Sequence, residues 1–123
     1  MGSAMYDAIQ FFKSPGYPEN YPNNADCVWI IEAEKLKHEQ VVRLRFDDFE
    51  TENSSDFLEI RDGKDGEGTL LGRFYGRRDS PFDVMSESRT MWIRFQSDSQ
   101  RTYKGFSAQY MSQQSDRVRK ING

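Results

Sequence analysis

The chain predicts an all-β fold, an antiparallel β-sandwich of two sheets, on three observations. Apolar and polar residues alternate with period two in several short segments, Gly, Pro and Ser turns separate those segments, and no segment carries the 3.6-residue period of a helix. Val42, Leu44 and Phe46 alternate with Arg43 and Arg45, and Leu58 and Ile60 with Glu59 and Arg61. Met91, Ile93 and Phe95 alternate with Trp92, Arg94 and Gln96, and Phe106, Ala108 and Tyr110 with Ser107 and Gln109. Each such run buries one face, so Leu44, Phe46, Leu58, Ile60, Ile93, Phe95 and Phe106 are the expected core. Trp29 is expected to join them, with its neighbours Val28 and Ile30 as the alternative inward pair. A length of 123 residues with 14% aromatic content suits one domain with one core.

In chain order, Met1–Met5 reads as a remnant of recombinant expression, residues 6–111 as the domain and residues 112–123 as a polar tail or linker. Residues 11–24 hold Pro15, Pro18 and Pro22 among aromatic rings. Proline fixes φ and removes a ladder donor, so this stretch is expected to be an ordered, turn-rich crossing rather than a helix or a central strand; a polyproline ligand is the functional alternative. Cys27–Ile31 is β-branched and aromatic and is expected to be a buried strand. The charged run Glu32–Gln40 is expected to form a helical turn, with His38 as an exposed surface residue. Asp62–Gly68 is a glycine-rich hairpin turn; acidic residues at its tip and the lack of a following Lys-Ser/Thr exclude a phosphate cradle. Leu70–Tyr75 is a short strand, and Arg77–Pro81 turns the chain.

The charge balance, 17 basic against 20 acidic residues and a net −3, excludes a global nucleic-acid footprint. No apolar run approaches the roughly 18 to 20 residues of a membrane-spanning helix. The sequence has none of the spacings that mark zinc proteases, nucleophile elbows, dinucleotide loops or zinc-binding cysteine pairs, and with one His and one Cys nucleophile-and-base catalysis lacks parts. A glycosidase-like pair of carboxylates is the enzymatic alternative, and nothing in the sequence places two acids across a cleft. Cys27 cannot form an internal bridge, so stability is expected to be independent of a disulfide.

The chemistry that remains is carboxylate chemistry. The acid-rich connection between the strand ending near Phe46 and the strand beginning at Phe57 crowds like charges, which is costly unless a cation or a basic partner group sits among them; a solvated acidic loop is the alternative. A second acidic locus, Gln96–Gln100, follows a strand. Loops at one end of a sandwich converge. If Asp98 lands beside Glu52 and Asp56, three hard carboxylates meet, and flexible loops of this kind suit Ca²⁺ better than strictly octahedral Mg²⁺. Asn53-Ser54-Ser55 is also a glycosylation sequon within the same loop.

Several stretches, in order along the chain, resemble the CUB domain family. They are Ser14-Pro15-Gly16-Tyr17-Pro18 with Asn20-Tyr21-Pro22, Cys27–Ile31, Phe46–Glu52, Asp56–Gly63, Leu71–Gly76, Phe95–Ser99 and Lys104-Gly105-Phe106 with Tyr110. The resemblance covers roughly residues 11–110 and implies a jelly-roll sandwich from a secreted or cell-surface parent, serving as a non-catalytic module that binds another protein. It also implies Ca²⁺ at Glu52, Asp56 and Asp98 with Ser99 following, and a partner's Lys or Arg received near Glu52, Asp98, Arg101 and Tyr103. An ion-independent structural or glycan-binding module is the alternative, and neither nucleic acid nor membrane insertion is expected. The chain departs from the usual four cysteines of the family. Only Cys27 is present, Tyr75 stands in the fourth cysteine's place, and the Glu52–Asp56 loop is short, a pattern similar to the two-cysteine repeats of CUB-and-sushi proteins.

Overall fold

The structure, a computed structural model, describes residues 10–53 and 55–115. Eight strands, β1 (Gln10–Lys13), β2 (Asp26–Glu32), β3 (Gln40–Glu50), β4 (Phe57–Asp62), β5 (Leu70–Phe74), β6 (Phe82–Met85), β7 (Thr90–Gln96) and β8 (Gly105–Gln114), account for its regular structure. They form two four-stranded antiparallel sheets, ordered β1-β8-β3-β6 and β2-β7-β4-β5. No helix occurs among the described residues. The sandwich expected from the sequence is confirmed.

The sheets face each other through the alternating apolar residues. Val42, Leu44, Phe46, Leu58, Ile60, Met91, Ile93, Phe95, Phe106 and Ala108 are all fully buried. Aromatic rings fill the centre: Phe106 packs edge-on against Phe12, Trp29, Phe46 and Phe95, and stacks on Phe49 with centroids 6.2 Å apart. Truncating such a ring to alanine costs about 3–5 kcal/mol through lost transfer energy and the cavity left behind. Trp29 faces inward from β2 together with the buried Ile31, whereas Val28 and Ile30 are half exposed.

One irregularity in β3 positions the functional end. The β3–β8 register shifts between Phe46 and Asp48, a β-bulge. A bulge reverses the inward-outward alternation, so Phe46 and Phe49 both point into the core with their rings 5.8 Å apart. Thr51, two residues further on, is therefore also buried, and Glu52 emerges at the end of the sandwich.

Several expectations need correction. Cys27–Ile31 is not buried on both faces: β2 is an edge strand whose outer residues meet solvent. Residues 33–39 form no helical turn; the chain is held extended by Ala33 N–H donating to Arg89 O (2.8 Å), and the buried Ala33 anchors it. The proline-rich stretch is entered from the short edge strand β1, where Phe12 faces inward and Phe11 is exposed, and no central strand forms in it. The ordered chain also runs beyond residue 111: Ser112, Gln113 and Gln114 pair with Val42, Val41 and Gln40, and Ser115 N–H donates to Glu39 O (2.8 Å). The expectations for residues 1–9 and 116–123 lie outside the described residues.

Candidate metal centre

The end of the sandwich beyond β3 is built around Asp56, which precedes β4 and is fully buried. Its Oδ2 accepts a hydrogen bond from Tyr21 Oη at 2.6 Å, and its Oδ1 accepts one from the Asp98 N–H at 2.8 Å. The same Tyr21 hydroxyl accepts from the Glu52 N–H at 3.1 Å. One phenol oxygen and one carboxylate thus tie together the β3–β4 loop, the segment after β7 and the proline-rich crossing.

Each segment is fixed by its own local chemistry. Tyr21 is buried with its ring edge-on to Phe95 at 4.9 Å, and its N–H donates to Tyr103 O at 3.0 Å. The short β3–β4 loop is closed by Thr51, whose Oγ1 donates to Asp56 O (3.1 Å) and accepts from the Gly76 N–H (3.0 Å). Beyond β7, Ser97 Oγ donates to Pro22 O and accepts from the Ala25 N–H, both at 2.8 Å, and Asp98 O accepts from the Asn24 N–H at 2.8 Å. Asp98 Oδ1 accepts from the Gln100 N–H at 2.9 Å, an Asx turn that orients its carboxylate.

The result brings Glu52, Asp56 and Asp98 together, with one carboxylate oxygen from each lying within 4.8 Å of the others. Glu52 Oε1 is buried and accepts no hydrogen bond from any described residue. Burial raises the Glu52 pKa above its ordinary value, and the Asp98 and Asp56 carboxylates add to the rise. Asp56 is raised as well: its burial outweighs the Tyr21 hydroxyl and Asp98 N–H that favour its charged form, and the Asp98 carboxylate pushes in the same direction as burial. Oxygens bound to a common Ca²⁺ at roughly 2.3–2.6 Å lie at most about 5 Å apart, so the trio fits such an ion in spacing and in donor chemistry.

The remaining positions singled out in the sequence surround this trio. Ser99 is exposed on the loop directly after Asp98. Arg101 is exposed and weakly opposes the rise at Glu52. Tyr103 is half-buried at the core edge, and Asn53 is exposed. Sequence reasoning missed Tyr21 and Thr51, the two hydroxyls that hold the acids in place. Their only signal was a position beside turn or acidic residues, which many Tyr and Thr share.

At the other end of β4 a second aspartate has different company. Asp62 Oδ1 accepts from the Glu87 N–H (2.8 Å), the Ser88 N–H (2.9 Å) and Ser88 Oγ (3.2 Å), all in the β6–β7 turn.

Residues 2–110 match the family model of the CUB domain. The chain belongs to the CUB family. It is 38% identical over 109 residues to cubilin of Sus scrofa, covering 85% of this chain and 3% of cubilin. To Tolloid-like protein 1 of Homo sapiens it is 37% identical over 108 residues, covering 85% of this chain and 10% of the relative. To the human tumor necrosis factor-inducible gene 6 protein it is 36% identical over 115 residues, covering 90% and 40%. The CUB chain thus spans a minor part of each of these relatives. Among solved structures, the CUB1-EGF-CUB2 domains of human MASP-1/3 superpose with a TM-score of 0.77 at 26% identity, covering 92% of this chain and 44% of that one. The MASP-1 CUB2 domain bound to Ca²⁺ superposes with a TM-score of 0.70 at 27% identity, covering 84% and 91%.

Proposed function

We propose that the chain is a non-catalytic, extracellular interaction module in which Glu52, Asp56 and Asp98 hold one Ca²⁺. With Arg101 and Tyr103 at its margin, the site receives a Lys or Arg side chain of another protein. The observation that carries this reading is the approach of three carboxylates to within 4.8 Å around a buried Glu52 oxygen that accepts no hydrogen bond from a described residue. Like charges so placed disfavour one another, and a hard divalent cation removes that cost. The similar CUB2 domain of MASP-1, solved with Ca²⁺ bound, supports the choice of ion.

When bound, Ca²⁺ supplies positive charge and order to loops that otherwise repel. The work of this chain's residues is orientation. Tyr21 and the Asp98 N–H hold Asp56, and the Gln100 N–H holds Asp98, so the acids face one another. Three ionised carboxylates around one divalent cation keep a net negative charge, which favours a basic side chain on a partner over a neutral or acidic one. The small share of cubilin and tolloid-like relatives that the chain spans supports a place within a larger secreted or membrane protein.

A calorimetric titration tests the ion directly. Wild type is expected to bind one Ca²⁺ with a Kd of roughly 10⁻⁴–10⁻³ M, the range of extracellular modules, and Asp98→Ala to bind none. Absence of heat for wild type at several millimolar calcium would favour a module that works without an ion.

A further inference from the structure

The sequon Asn53-Ser54-Ser55 is not used by the cation site, yet Asn53 occupies a defined place next to it. Asn53 and Ser55 are both exposed, and the Asn53 amide makes no hydrogen bond to any described residue. That amide lies over Gly76, which has a φ of +74°; a methyl group built on Gly76 would stand 3.5 Å from Asn53 Oδ1. Asn53, Tyr75, Gly76, Arg77 and Tyr103 line a cavity of about 430 Å³ against Thr51, the neighbour of Glu52. This volume falls in the range of pockets that hold small molecules, roughly 300–1,000 Å³. Tyr75 is 45% exposed, which leaves an aromatic face uncovered at the cavity. An aromatic face beside an arginine and a carboxylate, here Arg77 and Glu50, suits the apolar C–H face and the hydroxyls of a sugar ring.

We propose that Asn53 carries an N-linked glycan whose first N-acetylglucosamine seats in this cavity against Tyr75. The modification thereby closes the face beside the carboxylate trio to a protein partner while leaving the trio open to an ion. In the modification, Asn53 Nδ2 attacks the anomeric carbon of a polyprenyl-diphosphate-linked oligosaccharide. The C1–N bond forms, the C1–O bond to phosphate breaks, the polyprenyl diphosphate leaves and the amide gives up one proton. A glycan is bulky and hydrated, and one anchored a single residue from Glu52 in the cavity that Tyr103 also lines obstructs a partner that approaches the acids from that side. Its effect on partner binding rests on the function proposed above; its attachment and seating do not.

The test uses the full chain secreted from a glycosylating animal cell, beside Ser55→Ala, which removes the sequon and keeps Asn53, and beside Tyr75→Ala. Enzymatic release of the glycan is avoided because the amidase leaves an aspartate at position 53, a new carboxylate next to Glu52. Mass spectrometry of the Asn53 peptide is expected to show the glycan in wild type and in Tyr75→Ala. The melting temperature of the glycosylated wild type is expected to exceed that of Ser55→Ala by a few degrees, and the gap to vanish in the Tyr75→Ala background. Calcium affinity is expected to be equal in wild type and Ser55→Ala. The calcium-dependent capture by a poly-L-lysine surface is expected to be about tenfold or more weaker for the glycosylated form. An unmodified Asn53, a missing melting gap, a gap that persists without Tyr75, or equal capture of both forms overturns the proposal. If the surface captures no form at all, the basic-side-chain reading fails, and the mass and melting comparisons alone decide the glycan.

Discussion

β4 is bracketed by two aspartates, Asp56 just before it and Asp62 at its end, about 20 Å apart at some 3.3 Å per residue. Both accept several hydrogen bonds, but the surroundings differ. Asp62 receives three donors from a single turn, and no other carboxylate joins it in a metal-type cluster among the described residues. Asp56 is more deeply buried, receives two donors, and has Glu52 and Asp98 for neighbours. A carboxylate matched by donors from one loop is a clamp. A carboxylate crowded by two others is a site, because its charge exceeds what the fold neutralises.

The largest test of this contrast is truncation of each acid. Asp56→Ala strands the Tyr21 hydroxyl and the Asp98 N–H, each worth about 1–3 kcal/mol when left unsatisfied, so a loss of roughly 2–4 kcal/mol and of calcium binding is expected in urea denaturation with and without the ion. Asp62→Ala, on a half-buried clamp that water can reach, is expected to lose only about 1–2 kcal/mol and to bind calcium as wild type does. Calcium itself comes next. At a hundredfold above Kd it should stabilise wild type and Asp62→Ala by about 2.7 kcal/mol and leave Asp98→Ala unmoved. A calcium response that survives in Asp98→Ala would dissolve the distinction between the two ends.

A smaller effect is expected with pH. The folded pKa values of Glu52 and Asp56 lie above their ordinary values of 4.5 and 3.8, so the ion-free fold binds these protons more tightly than the unfolded chain. Their contribution therefore favours the fold in acid, and stability is lost as pH rises from the ordinary values through the raised ones. The difference in melting temperature between ion-free wild type and Asp98→Ala should accordingly shrink on acidification, and calcium affinity should fall as these groups take up protons. Asp48 runs the other way. Burial pulls its pKa up, but the Tyr17 hydroxyl and Lys104 outweigh it and hold it low, so its stabilisation is present above the ordinary value and lost as pH falls through the lowered one. The smallest expected effect is none: reductant should leave the melting temperature unchanged, since Cys27 is an unpaired thiol whose pKa is raised by burial and by Asp26.

β3, β7 and β8 were legible in the sequence because each repeats the alternation over three or more inward apolar residues, and β4 because Leu58 and Ile60 alternate with the charged Glu59 and Arg61. β6 was not. Its four residues offer only Phe82 and Val84 to the core, and the preceding Pro81 reads as a turn. β1 hid among prolines for the same reason of length. The acids of the site were legible as residue types, and the family resemblance supplied their grouping. Their convergence depends on the bulge after Phe46 and on Tyr21 reaching Asp56 across 35 positions of chain, and local periodicity encodes neither.

Tyr21 also makes the protein its own indicator. Its phenol is a chromophore sealed against Phe95, hydrogen-bonded to one acid of the trio and to the backbone of another. Burial, followed by the bond to Asp56, raises its pKa well beyond the usual phenol range, and Tyr17 is pushed up to about 12 chiefly by its bond to Asp48. Both phenols stay protonated at physiological pH, so titrating calcium into the site proposed above is expected to change the near-ultraviolet circular dichroism through the surroundings of Tyr21, and Tyr21→Phe is expected to lose that change. The proposed ion binding at the end of the sandwich would then be an optical event, readable in the unlabelled protein.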